Sequence, residues 1–223
     1  MPSRVKSPRK GRRVQRPKKR YVPRPDIRAK LLDAAEGLFR EEGYGAATAR
    51  RIANRVGMKH QAVFYYFDSQ DELLLALFRR QADMYRERLE AALNSQYPLL
   101  SLWEVIGDAD ATKLGLEFMA LATHNTAVRT EIARNAVSVR ALETAAIARY
   151  LDSRGIKPRL SPQFVSILTN AMARLLVQEA TLGIHAGHEE AETLVYNSFR
   201  NFEAAGDVDA GVEPIVDAIS TSR

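Results

Sequence analysis

Side chains that could hydrogen-bond to nucleic-acid bases or phosphates are concentrated in one short stretch of the chain. His60 and Gln61 carry ring nitrogens and an amide, groups that suit base edges in the major groove. Hydroxyls and positive charges that suit phosphate oxygens flank them, at Thr48, Arg50, Lys59 and Tyr65. This chemistry predicts a nucleic-acid contact if the fold places these groups on one exposed surface.

The elements predicted to carry these groups are two short helices joined at a glycine. They lie at 48–56 and 60–67, with Thr48 as an N-cap and Gly57 as the turn between them. The stretch ends on four consecutive aromatic residues (FYYF), which one helix cannot bury together because successive positions point about 100° apart. Val63 and Phe67 are expected to face inward and Phe64 outward with His60, Gln61 and Tyr65, while Tyr66 falls between the two sides. Two helices around such a turn indicate a helix-turn-helix.

The remaining segments all have helical periodicity. A first helix is predicted over 26–42 with Asp26 as its N-cap, and a fourth opens at Ser69 with the capping-box sequence SQDE and runs to Asn94. Further helices are expected at 99–107, 112–124, 127–153, 162–184 and 189–203. No useful stretch alternates with period two, so the predicted fold class is all-α.

The positive charge of the chain is concentrated at its N-terminus. Residues 1–25 contain eleven of the 33 Lys and Arg residues and no Asp or Glu. The rest of the chain therefore holds 22 basic against 27 acidic residues. Five prolines and few apolar side chains indicate an arm that does not fold alone, and such an arm suits a polyanion. A solubilising tail without a partner is the alternative.

Four segments of residues 25–85 carry a family resemblance: LLDAAEGLF, EEGYGAATARRIANRVGM, HQAVFYYF and SQDELLLALF. They resemble the tetracycline-repressor (TetR) family of bacterial one-component regulators. The resemblance implies that the third helix enters the major groove and that the fourth leads to a helical domain. The expected domains are a basic arm (1–24), a DNA-binding domain (25–85, with its motif at 48–67), an effector-binding and dimerisation domain (86–204) and a tail (205–223).

Two positions depart from the family pattern. Phe64 stands where the family usually has a tyrosine, and Gln70 stands where it often has a lysine, so two phosphate contacts are missing. The basic arm could offset that loss. The predicted DNA-binding residues are Thr48, Arg50, Lys59, His60, Gln61, Ala62, Phe64, Tyr65 and Gln70, together with Arg12, Arg13, Lys18, Lys19 and Arg20 of the arm.

The C-terminal half is expected to bind a small hydrophobic or amphipathic effector and to form a homodimer. In the central helices, where the family holds its ligand, the pocket candidates are Trp103, Phe118, Met119, His124 and Met172, although each could be ordinary core. Two apolar stripes near the end of the chain suit a four-helix dimer seam. Their members are Phe164, Leu168, Leu175, Leu182, Leu194, Phe199 and Phe202.

These features predict a cytoplasmic, ligand-responsive transcriptional repressor that binds a near-palindromic operator. We expect no enzyme activity, no cofactor and no membrane partner, since no catalytic motif occurs and no apolar run approaches a membrane span. The absence of cysteine excludes disulfides and thiolate chemistry. No metal site is predicted, although His188 and Glu192 keep a metal-dependent enzyme open as an alternative. A further alternative is a non-specific nucleic-acid or membrane-surface binder driven by the arm.

Overall fold

The computed structural model describes residues 25–155 and 160–205, and all regular structure in these ranges is helical. The first helix is α1 (Pro25–Glu42), and three short elements follow it: a 3-10 turn (Tyr44–Ala46), α2 (Ala49–Arg55) and α3 (His60–Val63). The body consists of α4 (Gln70–Leu93), α5 (Pro98–Ile106), α6 (Ala109–His124), α7 (Thr126–Ser153), α8 (Pro162–Thr181) and α9 (His188–Ala205). The predicted all-α fold is confirmed. No helix in the described ranges is long and apolar enough to cross a lipid bilayer.

Side-chain caps fix most of the helix starts that the sequence predicted. The hydroxyls of Thr48, Ser69 and Ser161 each accept a hydrogen bond from the backbone N–H three residues ahead. The Glu72 carboxylate accepts from the backbone N–H of Asp68, one residue before the cap, where a capping box would use the N–H of Ser69. The predicted cap at Asp26 is wrong, because α1 already includes Pro25 and Asp26 lies in its first turn. A carboxylate there still favours the positive end of the helix dipole.

The buried apolar side chains form two cores that share α4. The first core joins α1, α2, α3 and α6 to the first half of α4, and its fully buried members include Leu31, Ile52 and Leu77. The second core joins α5, α7 and α8 to the later part of α4, around Leu89 and Leu102. A single rigid helix therefore connects the region around α3 to the interior of the larger half.

Helix α6 packs against the N-terminal helices although it follows α5 in the chain. Phe118 lies against Phe39 and Phe78, with ring centroids 4.9 and 5.2 Å apart. The Glu117 carboxylate accepts a hydrogen bond of 2.7 Å from the backbone N–H of Tyr44. At the end of α6, the Asn125 amide donates to Asp71 at 2.8 Å. The predicted domain boundary at residue 85 places α6 in the second domain. In the structure α6 packs in the first core, together with the N-terminal helices.

Candidate DNA-binding site

The corner between α2 and α3 is built around Gly57. Its φ of 70° lies in the left-handed region, and a Cβ there would meet no atom within 4 Å, so backbone strain alone favours glycine. The turn closes through a 2.8 Å hydrogen bond from Met58 N–H to the carbonyl of Ala53. Ala53 and Val63 are buried where α2 and α3 cross. The predicted helix-turn-helix corner is therefore present.

The third helix is shorter than predicted, since α3 ends at Val63 and a turn follows in place of helix to residue 67. In this turn the N–H groups of Tyr65 and Tyr66 bond to carbonyls three residues back. Three residues per turn bring positions i and i+3 onto the same side. Tyr66 consequently joins Val63 and Phe67 in the core, which settles the orientation that helical spacing left open.

The opposite side of α3 and its turn is exposed. His60 and Gln61 are exposed, Ala62 is half-buried, and Phe64 and Tyr65 are 45% and 62% exposed. Exposed aromatic rings beside an amide and an imidazole form a surface with both apolar and hydrogen-bonding groups. The predicted outward face thus lies on one accessible surface.

The arginines near this surface fall into two groups. Arg51 and Arg55 are paired with carboxylates of α1, at 2.5 Å to Glu42 and 2.6 Å to Glu41. The hydrogen bond from Arg51 lowers the pKa of the Glu42 carboxyl below its usual value. Arg50 and Lys59, by contrast, are exposed, and no carboxylate in the described ranges lies within ion-pair distance of either. Their charges are available to an external anion.

Gln70, predicted to lie among the DNA-contacting residues, has an internal role. Its side-chain oxygen accepts a 2.7 Å hydrogen bond from Ala49 N–H, and its amide donates to the carbonyl of Ala47. The first residue of α4 therefore holds the N-terminus of α2 in place. The other predicted contacts, Arg12, Arg13, Lys18, Lys19 and Arg20, lie outside the described residues.

The structure does not bring the predicted pocket residues together. Phe118 is buried in the first core, whereas Trp103 packs against the second. Met119 and His124 are exposed on α6, and Met172 is half-buried on α8. Helical periodicity in the sequence placed each residue on a face, but it did not show which core that face meets.

The predicted dimer residues divide into exposed and packed groups. Phe164, Leu175 and Leu182 are exposed on α8, and Leu168 is half-buried beside them. On α9, Leu194 is half-buried and lines a surface groove, whereas Phe199 is half-buried against the second core. The side chain of Phe202 lies outside the described residues.

The histidines near the start of α9 form a local contact. His188 Nε2 lies 2.9 Å from Glu179 Oε2, and the ring of His185 stands edge-on to that of His188. No group of three or more His, Asp or Glu side chains in the described parts of the chain is arranged to hold a metal ion.

A glycine corner between two short helices, with an exposed polar face on the second, is the arrangement of a helix-turn-helix motif. Residues 31–77 match the family model described as bacterial regulatory proteins, tetR family, so this part of the chain is similar to the DNA-binding domain of that family.

Curated relatives match mainly in this domain. A transcriptional repressor of Mycobacterium tuberculosis, Rv1474c, is 39% identical over 56 residues, which are 25% of this chain and 30% of the relative. The transcriptional activator FasR of Mycolicibacterium smegmatis is 35% identical over 74 residues, covering 33% of this chain and 34% of the relative. This chain thus spans about a third of the length of these relatives.

The similarity in fold extends further. A transcriptional regulator from Saccharomonospora viridis, solved in complex with choline, superimposes with a TM-score of 0.66 at 18% identity. The superposition covers 77% of this chain and 96% of the other. The larger helical half therefore has the same fold as that of a known regulator, although its sequence has diverged.

Proposed function

We propose that this protein is a homodimeric transcriptional repressor that binds a near-palindromic operator and is released from it by a small effector. The exposed face of α3 beside the Gly57 corner carries the proposal. His60 and Gln61 would hydrogen-bond to base edges, and Ala62 and Phe64 would supply apolar contact. Thr48, Arg50, Lys59 and Tyr65 would hold the phosphates on either side.

Gln70 supports this surface indirectly. Its hydrogen bonds to Ala47 and Ala49 fix the start of α2, where Thr48 and Arg50 lie. A lysine at this position would add a charge but lose the acceptor for Ala49 N–H. Gln70 therefore makes no direct phosphate contact in this proposal, but it positions Thr48 and Arg50, which do.

The experiment that tests operator binding begins with selection of bound sites from random DNA by the full chain. Gln61→Ala should then flatten base preference at one position in each half-site, because a good bidentate contact discriminates by about 1–3 kcal/mol. Affinities for the selected site and its single-base variants measure this effect. Gln96→Ala, an exposed glutamine of the other half, is the matched control. Equal loss of affinity for every variant would show that Gln61 does not read sequence.

Dimerisation through α8 is supported by its exposed apolar face. Phe164, Leu175 and Leu182 are too far apart along the helix for one small contact, and together they form a long stripe. Exposed apolar patches of this extent mark interaction surfaces. A two-fold dimer would set two α3 helices about one DNA turn apart, or a multiple of it, and so requires a near-palindromic operator.

Effector control is supported by the contacts that connect the two halves. Helix α4 runs through both cores, and α6 contacts the DNA-binding domain through Glu117, Phe118 and Asn125. A ligand that shifts either helix would change the spacing of the two α3 helices. The choline found with the Saccharomonospora viridis regulator supports a small organic effector. We place the protein in the cytoplasm, where its operator is.

The basic arm should add salt-dependent affinity. Each phosphate neutralised contributes about 0.9 to the slope of log affinity against log salt, so engagement of half the arm's charges gives a slope change of about 5 per arm. Deletion of residues 1–22 should lower the slope by that amount and reduce preference for A·T-rich flanks, whose narrow minor groove attracts arginine. Salt titrations of the full and truncated chains on one operator measure the difference. Parallel lines would show that the arm is a passive tail.

A further inference from the structure

Helix α8 has its polar residues on the inside. Its buried positions are Ser166, Thr169, Asn170 and Ala173, while its large apolar side chains point outward. Buried hydroxyls and amides need hydrogen-bond partners, because transfer from water without one is unfavourable. The interior that faces α8 must therefore contain a polar group.

That group is the carboxylate of Glu143 on α7. Glu143 is fully buried and occupies a core position, since Val139 and Ile147, one turn away on either side, belong to the second core. Its Oε2 accepts hydrogen bonds from Ser166 Oγ at 2.5 Å and from Asn170 Nδ2 at 2.9 Å. Glu143 therefore places a carboxyl group, with two acceptor oxygens, in the interior of the larger half.

The second oxygen of this carboxylate lacks a partner. Oε1 of Glu143 is buried and has no hydrogen bond from any described residue. The guanidinium of Arg140 forms an ion pair with Oε2 at 3.8 Å but donates no hydrogen bond to Oε1. Buried polar atoms in native proteins nearly always have a partner, so an unused carboxylate oxygen indicates a missing donor.

One aromatic side chain, Tyr85, lies near the Glu143 carboxylate. Tyr85 of α4 has a buried hydroxyl that makes no hydrogen bond of good geometry, although Arg174 of α8 lies beside it. Burial, and then the charge of Glu143, raises the pKa of the Tyr85 hydroxyl, so it stays neutral. Tyr85 and Trp103 pack against the same core. An aromatic face beside a carboxylate favours a cation that has an apolar body.

We propose that Glu143 anchors the ammonium group of an effector, an organic amine bound between α4, α7 and α8. The amine would donate N–H groups to Oε1, and its apolar part would lie toward Tyr85 and Trp103. A water molecule is the alternative donor to Oε1, and a site filled only by water would give no response to an added amine. The inference rests on the proposed effector control and assigns to it a chemical class of ligand.

Three probes with the same eight-carbon chain test the assignment: octylamine, 1-octanol and octanoate. Trp103 is the only tryptophan, so its fluorescence in the full chain without DNA reports binding in this half. Octylamine should change the emission and raise the melting temperature, 1-octanol should bind at least about tenfold more weakly, and octanoate should have no effect. Octanoate binding as tight as that of octylamine would overturn the proposal.

Glu143→Gln gives the second measurement. The glutamine oxygen still accepts from Ser166 and Asn170, but its NH₂ group replaces Oε1, the proposed acceptor for the amine. Octylamine affinity should therefore fall about ten- to a hundredfold. Glu87→Gln, at an exposed glutamate of α4, should leave it unchanged. An unchanged affinity in folded Glu143→Gln overturns the anchor role. If that variant does not fold, the three probes on the natural chain decide the question.

Adding operator DNA separates this inference from the proposed function. Octylamine binding that releases the DNA supports both. Binding that leaves operator affinity unchanged supports the amine site and contradicts effector control. If the protein binds no specific DNA but still responds to octylamine, the proposed operator binding is contradicted and the amine site at Glu143 is supported.

Discussion

Leu175→Glu should convert the dimer into monomers and lower operator affinity by about a hundredfold or more. Leu175 is 52% exposed in the middle of the apolar face of α8. In a two-fold dimer the substitution occurs in both copies, so two carboxylates would be brought together in an apolar interface. Loss of the dimer removes the gain from binding two half-sites at once, which is about 10²–10⁴ for linked sites. Sedimentation and operator titration at one protein concentration measure both effects.

Met84→Glu is the control for this substitution. Met84 lies on α4 and is 51% exposed. The substitution therefore introduces the same charge at an apolar side chain of nearly equal accessibility, but away from the α8 face. It should leave both the dimer and the operator affinity unchanged. A Leu175→Glu protein that remains dimeric, or a monomer that binds the full operator as tightly as before, would rule out the α8 seam. Phe199 is less suitable for this test because it packs against the second core.

The sequence predicted the positions of the helices well where a capping residue marks the start. Thr48, Ser69 and Ser161 each accept the hydrogen bond that their residue type suggests, and each helix begins at the next residue. This information is local, because a cap satisfies its own backbone within three residues. The resemblance to the TetR family likewise concerns a local, contiguous domain.

The prediction failed where the position of a residue depends on its contacts with another segment of the chain. The end of α3 was predicted with 3.6 residues per turn, but packing of Tyr66 beside Val63 requires a tighter turn. Gln70 was interpreted from its position in the family pattern, whereas its partner, the start of α2, is 21 residues away in the chain. Contacts between distant segments leave no periodic signal in one sequence.

The buried polar cluster of the larger half illustrates the same limit. Glu143 lies at a core position of α7, and a search for apolar stripes passes over it because the residue is charged. Ser166 and Asn170 are unremarkable as sequence, but they become informative once α8 shows its apolar side chains on the outside. The spacing could have identified Glu143, because apolar residues lie four positions before it (Val139) and four after it (Ile147) on the same helix face.

Phe118→Ala should lower the free energy of unfolding by about 3–5 kcal/mol, the usual cost of removing a large aromatic side chain from a core. Phe118 was a pocket candidate, but it is 3% exposed and packs on Phe39 and Phe78, so its loss opens a cavity between α6 and the DNA-binding domain. Urea denaturation followed by the helical circular dichroism signal measures the change.

Met119→Ala provides the adjacent control for the same helix. Met119 is 56% exposed, so truncation there should change stability by less than about 0.5 kcal/mol. The loss at Phe118 is large against the 5–15 kcal/mol by which proteins of this kind are stable. Because Phe118 joins α6 to both α1 and α4, operator binding should also weaken in conditions where the variant is still folded. If both substitutions changed the stability equally and only slightly, and only Phe118→Ala altered the effector response, Phe118 would be a ligand-pocket residue and not a core residue.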